Sequence, residues 1–175
     1  MGANHQPISG QNLFIGSYIR QPTTPPTYRG YVQAFNAKTG VLIWTVSTGP
    51  IESSPAFWFD RIFVGSSNGS VYSLDALTGS VLWKNSTGGP VHSSPAVDEN
   101  LGLVVVGSDD GSVYAFDMWT GWLRWNFPTG GAVQSSPALG GWELSTVGPI
   151  IPVVFIGSNN GRIYMLNRTN GAYLD

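Results

Sequence analysis

The sequence predicts an all-β fold in which one antiparallel sheet is repeated four times. The main observation is a segment, residues 63–83, that returns with changes at residues 105–125 and 155–175 and in a broken form at residues 14–44. A second observation is that Gly, Asn, Ser and Thr stand at regular places between short apolar runs, as in an all-β chain with tight turns. Repetition at a fixed period of this length indicates one supersecondary unit stacked on its own copies.

The copy that ends at Trp83 contains four short predicted strands, at residues 54–59, 61–66, 70–75 and 80–84. We letter the strands of each copy A to D in chain order. The turns between them carry Asn-Gly and Thr-Gly, which supply the positive φ that tight turns need. A Ser-Ser-Pro-Ala motif opens strand A at Ser53, Ser93 and Ser135, with spacings of 40 and 42 residues.

Such a unit cannot bury both of its faces alone, so radial stacking into a β-propeller of four-stranded antiparallel blades is expected, with strand A nearest the central channel. The approximate blades are residues 1–50, 51–90, 91–132 and 133–175, and the last blade is expected to be truncated. Four repeats predict a partial propeller or half-ring whose open blade edges favour self-association. Closure of the four copies on themselves is the alternative.

Composition narrows the function classes. The chain has 175 residues, with eight basic and ten acidic side chains scattered along it, so no basic stripe suggests a nucleic-acid partner. Cysteine is absent, which excludes a disulfide framework and a thiolate metal site. We expect no membrane span and no signal peptide in this chain, because no apolar run approaches about 18 residues. The compartment stays undecided on these grounds.

One copy contains the pattern Ala-x-Asp-x-x-Thr-Gly-x-x-x-Trp in full, at Ala115, Asp117, Thr120, Gly121 and Trp125. Two other copies match with one change each, Asn36 in place of Asp and Ser73 in place of Ala. The chain therefore resembles the PQQ-type, or quinoprotein-like, β-propeller repeat family. The resemblance covers almost the entire chain and suggests an extracytoplasmic location, periplasmic or secreted.

The resemblance also implies roles for the residues of the motif. In that family the tryptophan of one blade docks against the next blade, so Trp44, Trp83 and Trp125 are implied to hold the blades together. An indole is a large apolar body with one donor and suits such a contact. The Asp can hold the turn while the Gly takes the left-handed conformation. These turn positions are Asp75, Asp117, Gly79 and Gly121.

A candidate binding rim is predicted where the copies disagree. In an up-and-down meander the D-to-A and B-to-C connections share one rim. Just before each Ser-Ser-Pro-Ala motif, on that rim and beside the channel, stand Glu52, His92 and Gln134, with Asn4 as a fourth member. Divergence at a fixed structural position is typical of a binding site. Simple hydration of a channel mouth is the alternative.

The same rim carries an insertion, residues 18–29, in place of the short B-to-C turn of the first copy. We call it the arm. Its prolines predict a polyproline-like segment. The side chains of Tyr18, Arg20, Tyr28 and Arg29 offer aromatic and cationic contacts suited to a protein partner or a carbohydrate. A tolerated surface insertion is the alternative interpretation.

Two further groups of residues are expected to be structural. Trp58, Trp119, Trp122 and Trp142 are not needed for docking, and blade-edge packing is the expected explanation for them. Exposed stacking is the alternative for Trp119 and Trp122, which flank a C-to-D turn. The acid pairs Asp98-Glu99 and Asp109-Asp110 lack calcium-loop spacing, so both are expected to be solvated turns.

Enzyme activity finds little support in the sequence. The resemblance also implies an alternative function, in which the chain is a fragment of a PQQ-dependent alcohol dehydrogenase with PQQ and calcium as cofactors. Those enzymes commonly carry a vicinal Cys pair over the quinone, and this chain has no Cys. No segment matches a catalytic motif, so no catalytic, cofactor-binding or metal residue is assigned. A propeller fold by itself does not indicate an enzymatic activity. The expected function is a non-catalytic binding module, similar to the lipoprotein scaffold of the bacterial outer-membrane barrel-assembly machinery, acting through one rim and the channel mouth.

Overall fold

The computed structural model describes residues 12–24, 27–143 and 150–174. All of the regular structure in these residues is β-strand, and no helix there could cross a membrane. The fourteen strands form four separate antiparallel sheets, each a meander in chain order. The prediction of an all-β propeller with open ends is confirmed at this level.

The first and fourth sheets have three described strands, and the second and third have four. The first sheet holds strands B to D of its copy: β1 (Asn12–Gln21), β2 (Thr27–Asn36) and β3 (Leu42–Thr48). The second holds β4 (Ala56–Trp58), β5 (Arg61–Ser66), β6 (Ser70–Asp75) and β7 (Val81–Ser86). The third holds β8 (Ala96–Asp98), β9 (Leu103–Gly107), β10 (Ser112–Asp117) and β11 (Leu123–Pro128). The fourth holds strands A to C: β12 (Ala138–Glu143), β13 (Ile150–Ser158) and β14 (Arg162–Asn167).

The core lies between neighbouring sheets, because each inner strand buries both of its faces. In β5, Ile62 and Val64 pack in the cluster shared with the first sheet, while Phe63 packs in the cluster shared with the third. Strands β6, β9 and β10 alternate in the same way. This explains why the sequences of strands B and C are nearly continuous apolar runs. A strand with one solvent-exposed face would instead alternate apolar and polar residues.

The first three C-to-D turns share one hydrogen-bond pattern. The carboxylate Oδ1 of Asp75 accepts from the backbone N–H of Leu77 at 3.0 Å and of Thr78 at 2.7 Å, and also from the Thr78 hydroxyl at 2.9 Å. Gly79 closes the turn with φ of 76°. Asp117 and Asn36 accept from the corresponding N–H groups of their own turns. A side chain that satisfies these donors fixes where strand D begins.

The indole of each motif tryptophan contacts the C-to-D turn of the next sheet. Its N–H donates to a backbone carbonyl at the same turn position each time: Trp44 to Ala76 at 3.1 Å, Trp83 to Met118 at 3.0 Å and Trp125 to Arg168 at 2.7 Å. The ring lies against the glycine of that turn, at Gly79, Gly121 and Gly171 respectively. The turn glycine thus leaves room for a neighbouring indole in addition to adopting positive φ.

The Ser-Ser-Pro-Ala motif tethers strand A in two directions. The hydroxyl of Ser53 donates to the Gly65 carbonyl at 2.9 Å and accepts from the Gly65 N–H at 3.0 Å, within one sheet. The second serine of the motif links consecutive sheets: the Ser54 N–H donates to Ser94 Oγ at 2.9 Å, and the Ser94 N–H donates to Ser136 Oγ at 3.0 Å. Strand A is therefore held at a fixed place beside the channel, and so are the residues just before it.

The expectation that Asp98 belongs to a solvated turn is wrong. Asp98 ends β8, its side chain is 1% exposed, and its Oδ2 lies 2.9 Å from Nη1 of Arg168 in the fourth sheet. Its other oxygen accepts from the N–H groups of Asn100 and Leu101. The partner is 70 residues away in sequence, which is why spacing gave no indication of the pair.

Candidate binding rim

The three described members of the predicted ring all contact the B-to-C turn of their own sheet. Glu52 Oε1 accepts from the Ser67 hydroxyl at 3.4 Å, His92 Nδ1 lies 3.0 Å from Asp109 Oδ2, and Gln134 Oε1 accepts from Asn159 Nδ2 at 3.4 Å. Ser67, Asp109 and Asn159 are the first variable residues of equivalent turns. The D-to-A and B-to-C connections therefore do share one rim. Asn4, the fourth predicted member, lies outside the described residues.

Charge on this rim is concentrated around His92. Its Nε2 lies 3.9 Å from Glu52 Oε1 of the preceding connection, and its Nδ1 contacts Asp109 on the other side. Two carboxylates thus flank one imidazole. One imidazole can offset at most one of the two carboxylate charges, so this part of the mouth carries a net negative charge.

The expectation that the Asp109-Asp110 pair is merely solvated is also wrong. Asp109 pairs with His92, and its Oδ1 is buried without a hydrogen-bond partner in the part of the chain that the structure describes. Asp110 Oδ2 accepts from the Gly88 N–H and from the Tyr114 hydroxyl, both at 2.6 Å. Burial, together with the hydrogen bond to Asp110 and its negative charge, raises the pKa of the Tyr114 hydroxyl. These acids organise the rim rather than face only water.

The arm is a β-hairpin, so the polyproline-like prediction is wrong for its described residues. Strands β1 and β2 continue into it in register, with Tyr18 opposite Gly30, Arg20 opposite Tyr28 and Gln21 opposite Thr27. Prolines at both ends of the loop suggested an isolated extended segment. The flanking residues are nevertheless free to donate and accept across the hairpin, and antiparallel pairing satisfies their backbone groups.

The arm and the ring meet in one surface pocket. Tyr18 and Tyr28 from the arm, Pro50 and Glu52 from the connection into the second sheet, and Ser67 from its B-to-C turn line a cavity of about 290 Å³. The two tyrosine rings stand 6.0 Å apart at 69°, an edge-to-face arrangement. The pocket therefore joins two aromatic rings and one carboxylate, contributed by two adjacent sheets.

The two arginines of the arm have different positions. Because side chains alternate between the faces of a hairpin, Arg20 shares a face with Tyr18 and Tyr28, whereas Arg29 projects from the opposite face. Both arginines are exposed. Only Arg20 is placed to contact a ligand that occupies the pocket.

The tryptophans outside the motif do not share one explanation. Trp119 packs under Arg61, whose guanidinium carbon stands 4.7 Å from the ring centre and whose Nη1 donates to the Trp119 carbonyl at 3.3 Å. This contact joins the second and third sheets. Trp122 is 76% exposed, so blade-edge packing does not explain it.

The residues that sequence reasoning missed are Ser67, Asp109 and Asn159. They vary between copies while the serine before each of them stays constant, which is the same signal that identified Glu52, His92 and Gln134. Applied to the B-to-C turn, that criterion would have found them. Pro50 also lines the pocket but carries no such signal. A Gly-Pro pair stands at its position in each D-to-A connection except the last.

The described residues do not fit a quinone-and-calcium site. Within residues 12–24, 27–143 and 150–174, no three His, Cys, Asp or Glu side chains are grouped so that they could hold a metal ion. The acids nearest the channel mouth are instead engaged with His92 and with backbone N–H groups. No catalytic step through such a cofactor can be derived from these side chains.

Solved structures with the same fold share little sequence with this chain. Quinohemoprotein alcohol dehydrogenase ADHIIG from Pseudomonas putida HK5 is 18% identical, with a TM-score of 0.68 over 83% of this chain and 31% of that one. BamB from Moraxella catarrhalis is 19% identical, with a TM-score of 0.56 over 83% of this chain and 57% of that one. Saccharomyces cerevisiae Sqt1 is 16% identical, with a TM-score of 0.68 over 92% and 47%.

These neighbours establish the fold alone, and the chain spans about a third to somewhat over half of their length. A comparison with curated protein sequences found no match. A family model is more specific: residues 28–175 match the family described as outer membrane protein assembly factor BamB. The match covers most of the chain and confirms the resemblance stated from the repeat motif. The chain belongs to this BamB family of PQQ-like repeat propellers.

Proposed function

We propose that this chain is a non-catalytic binding module and that a protein partner docks on the rim formed by the arm and the channel mouth. The observation that carries the proposal is the pocket in which Tyr18 and Tyr28 of the arm stand beside Glu52 of the ring. An aromatic arm and a variable ring position that were identified separately from the sequence contribute to one site. Aromatic residues of this kind are enriched where proteins bind each other.

The chemistry of the pocket favours a basic side chain of the partner. An ammonium or guanidinium group is attracted to tyrosine ring faces and forms charge-assisted hydrogen bonds with a carboxylate. Glu52 supplies the carboxylate, and Asp109 beside His92 extends the negative charge along the mouth. A carbohydrate could stack on the same tyrosines, but it would gain nothing from this net charge.

The family supports a role in protein assembly, because its description is that of an outer membrane protein assembly factor. On the same ground we propose an extracytoplasmic location. Self-association through the open ends of the blade array is a separate proposal and does not involve this rim.

Binding of short peptides tests the charge preference. Isothermal titration calorimetry at low salt compares three ligands: hexalysine, hexaglutamate and a neutral hexasaccharide. We expect only hexalysine to bind. Glu52→Gln should weaken this binding at least fivefold. Glu99→Gln, the same change on an exposed residue of an A-to-B turn, should leave it unchanged. Preference for hexaglutamate, or equal loss in both variants, would contradict the proposal.

Shortening the arm tests its role directly. Replacing residues 18–29 by the Asn-Gly turn of the second and fourth copies removes both tyrosines and leaves the rest of β1 and β2 paired. The variant should keep its melting temperature and lose capture of the lysine peptide. Full capture by the shortened protein would refute the assignment of the arm.

A fragment of a quinoprotein dehydrogenase is the alternative function, supported by the fold likeness to the Pseudomonas putida enzyme. Adding PQQ with calcium and separating free from bound cofactor distinguishes the two. We expect no PQQ absorbance to elute with the protein. Stoichiometric retention would favour the dehydrogenase reading.

A further inference from the structure

The face of the arm that is turned toward the second sheet carries a cation as well as the two tyrosines. Arg20 lies directly opposite Tyr28 across the hairpin, and Tyr18 stands two residues before Arg20 on the same strand, so the three side chains share one face. Val32 continues that face along β2 and packs in the cluster shared by the first and second sheets. Arg20 therefore projects from the side of the arm on which the pocket lies.

The base of the arm packs directly on the connection into the second sheet. Gly30, which pairs with Tyr18, comes so close to Gly49 and Pro50 that a Cβ on it would overlap their backbone atoms. Glycine is the residue that permits such a close backbone approach. Pro50 is itself a wall of the pocket, and Glu52 follows it by two residues. The arm and the carboxylate are thus carried by segments that are in contact with each other.

The charges that these two segments bring to the pocket are opposite. Glu52 lines the pocket from the connection, with His92 Nε2 3.9 Å from its Oε1. Arg20 is exposed on the arm, and none of the ion pairs among the residues that the structure describes involves it. The guanidinium of Arg20 is therefore available to a bound partner. A ligand in the pocket meets a carboxylate from one segment and a guanidinium from the other.

We infer that the docking segment of the partner is extended and carries a basic and an acidic side chain two positions apart, the base in the pocket against Glu52 and the acid on Arg20. The inference rests on the proposed function, because it needs a basic side chain in the pocket. Side chains on one face of an extended strand repeat about every 6.7 Å, and the same repeat separates Arg20 from Tyr18 along β1. A segment that lies along the arm therefore meets both charges with alternate side chains.

Arg20 also makes the site discriminate between basic segments. A carboxylate on the partner can accept two parallel hydrogen bonds from the guanidinium, which a neutral amide cannot do. A second basic side chain at that position would instead meet a like charge. A phosphate would pair with Arg20 but would be repelled by Glu52, so a nucleic-acid backbone does not fit the two charges.

Two hexapeptides that differ at one residue test the inference. The mixed peptide, Lys-Ser-Glu-Ser-Lys-Ser, has an acid two positions from each lysine, and the amide peptide, Lys-Ser-Gln-Ser-Lys-Ser, has a neutral isostere in its place. Both are too short to form a stable helix. Isothermal titration calorimetry at low salt should show that the mixed peptide binds more tightly, by roughly threefold or more. Attraction to the acidic rim alone would favour the amide peptide, because its net positive charge is larger.

Charge changes on the arm then assign this preference to Arg20. Arg20→Glu should reverse the preference, because the new carboxylate repels the acid of the mixed peptide, and Arg20→Lys should keep its direction. The matched control is Arg29→Glu, the same change on the opposite face of the same hairpin, which should leave the mixed peptide preferred. Both arginines are exposed, so the variants should fold like the wild type, and circular dichroism checks this.

The outcomes separate this inference from the proposed function. Equal binding of the two peptides by the wild type would overturn the inference, and so would a preference that survives in Arg20→Glu or disappears in Arg29→Glu. The proposed function would still stand in those cases if both peptides bind and Glu52→Gln weakens them. Binding of neither peptide to the wild type would overturn both proposals, because the pocket would then accept no basic side chain.

Discussion

Trp83 of the second sheet is joined to Gly121 of the third by direct contact: a Cβ placed on that glycine would lie 2.7 Å from the indole ring. The same indole donates to the Met118 carbonyl of the same turn at 3.0 Å. One tryptophan therefore both packs against the glycine of the neighbouring turn and donates a hydrogen bond to a carbonyl of that turn. Because strand D and the C-to-D turn both repeat along the chain, the contact repeats between each pair of sheets.

Removing the Trp83 side chain should destabilise the protein strongly. Trp83→Ala deletes a buried indole between two sheets and should lower the free energy of unfolding by about 3–5 kcal/mol. Trp83→Phe keeps an aromatic ring but leaves the Met118 carbonyl without its donor, and should cost about 1–3 kcal/mol. Urea unfolding followed by circular dichroism measures both.

Trp122→Ala is the control, because that side chain is 76% exposed and should change stability by less than about 0.5 kcal/mol. An unchanged melting temperature for Trp83→Ala would remove the case for a docking role.

Gly121→Ala separates the two reasons for glycine at the turn. The residue has φ of 76°, and any Cβ there collides with Trp83. Gly130 has φ of 84° with no atom within 4 Å of a Cβ. Gly130→Ala should therefore lower the free energy of unfolding only by the cost of placing an alanine in the left-handed conformation, about 1–2 kcal/mol. Gly121→Ala should lower it clearly more, because the new Cβ also meets the indole. Thermal unfolding of both variants makes the comparison. Equal losses would mean that the indole moves aside freely.

Arg168→Met should be much more damaging than its place in a turn suggests. The carboxylate of Asp98 would stay buried without its cation, which costs about 3–5 kcal/mol. The added change Asp98→Asn removes the uncompensated charge and should recover part of the loss. Urea unfolding measures all variants.

The matched control for this pair is Arg124→Met. Its partner is Asp117, but the Arg124 side chain is 56% exposed, so the loss should stay within about 1 kcal/mol. If Arg168→Met were no worse than Arg124→Met, the buried pair would contribute little.

The parts of the fold that local chemistry dictates could be predicted from the sequence. Turns built on Asp75 or Asp117 involve acceptors and donors within a few residues, so their spacing indicates where strands C and D meet. The apolar runs of strands B and C likewise indicate burial on both faces. Strand positions in the second copy follow from these signals with shifts of one or two residues at their ends.

Contacts between distant parts of the chain could not be predicted. Asp98 meets Arg168 on another sheet, and neither residue has a sequence neighbour that reveals the pairing. The link between His92 and Asp109 depends on a turn returning to the channel mouth, which repeat spacing does not specify at the level of side chains. The hairpin form of the arm was missed because its prolines indicate extended backbone without indicating that the flanking segments pair.

Acidification should weaken the turn at Asp117. Burial alone would raise the pKa of this carboxyl, but hydrogen bonds from the Thr120 N–H and hydroxyl and the Trp119 N–H, with the nearby Arg124, together lower the pKa below its ordinary value. A lowered pKa in the folded state means that the carboxylate stabilises the fold above the pKa of the unfolded chain. That contribution is lost as the pH falls through the folded-state pKa.

Asp117→Asn should therefore make the unfolding free energy fall less steeply between pH 7 and pH 3, as measured by urea titration at each pH. Its amide oxygen can still accept from the turn, as Asn36 does in the first copy. Glu99→Gln, at an exposed residue, should keep the wild-type slope. A wild-type slope in Asp117→Asn would show that this carboxylate contributes no acid sensitivity.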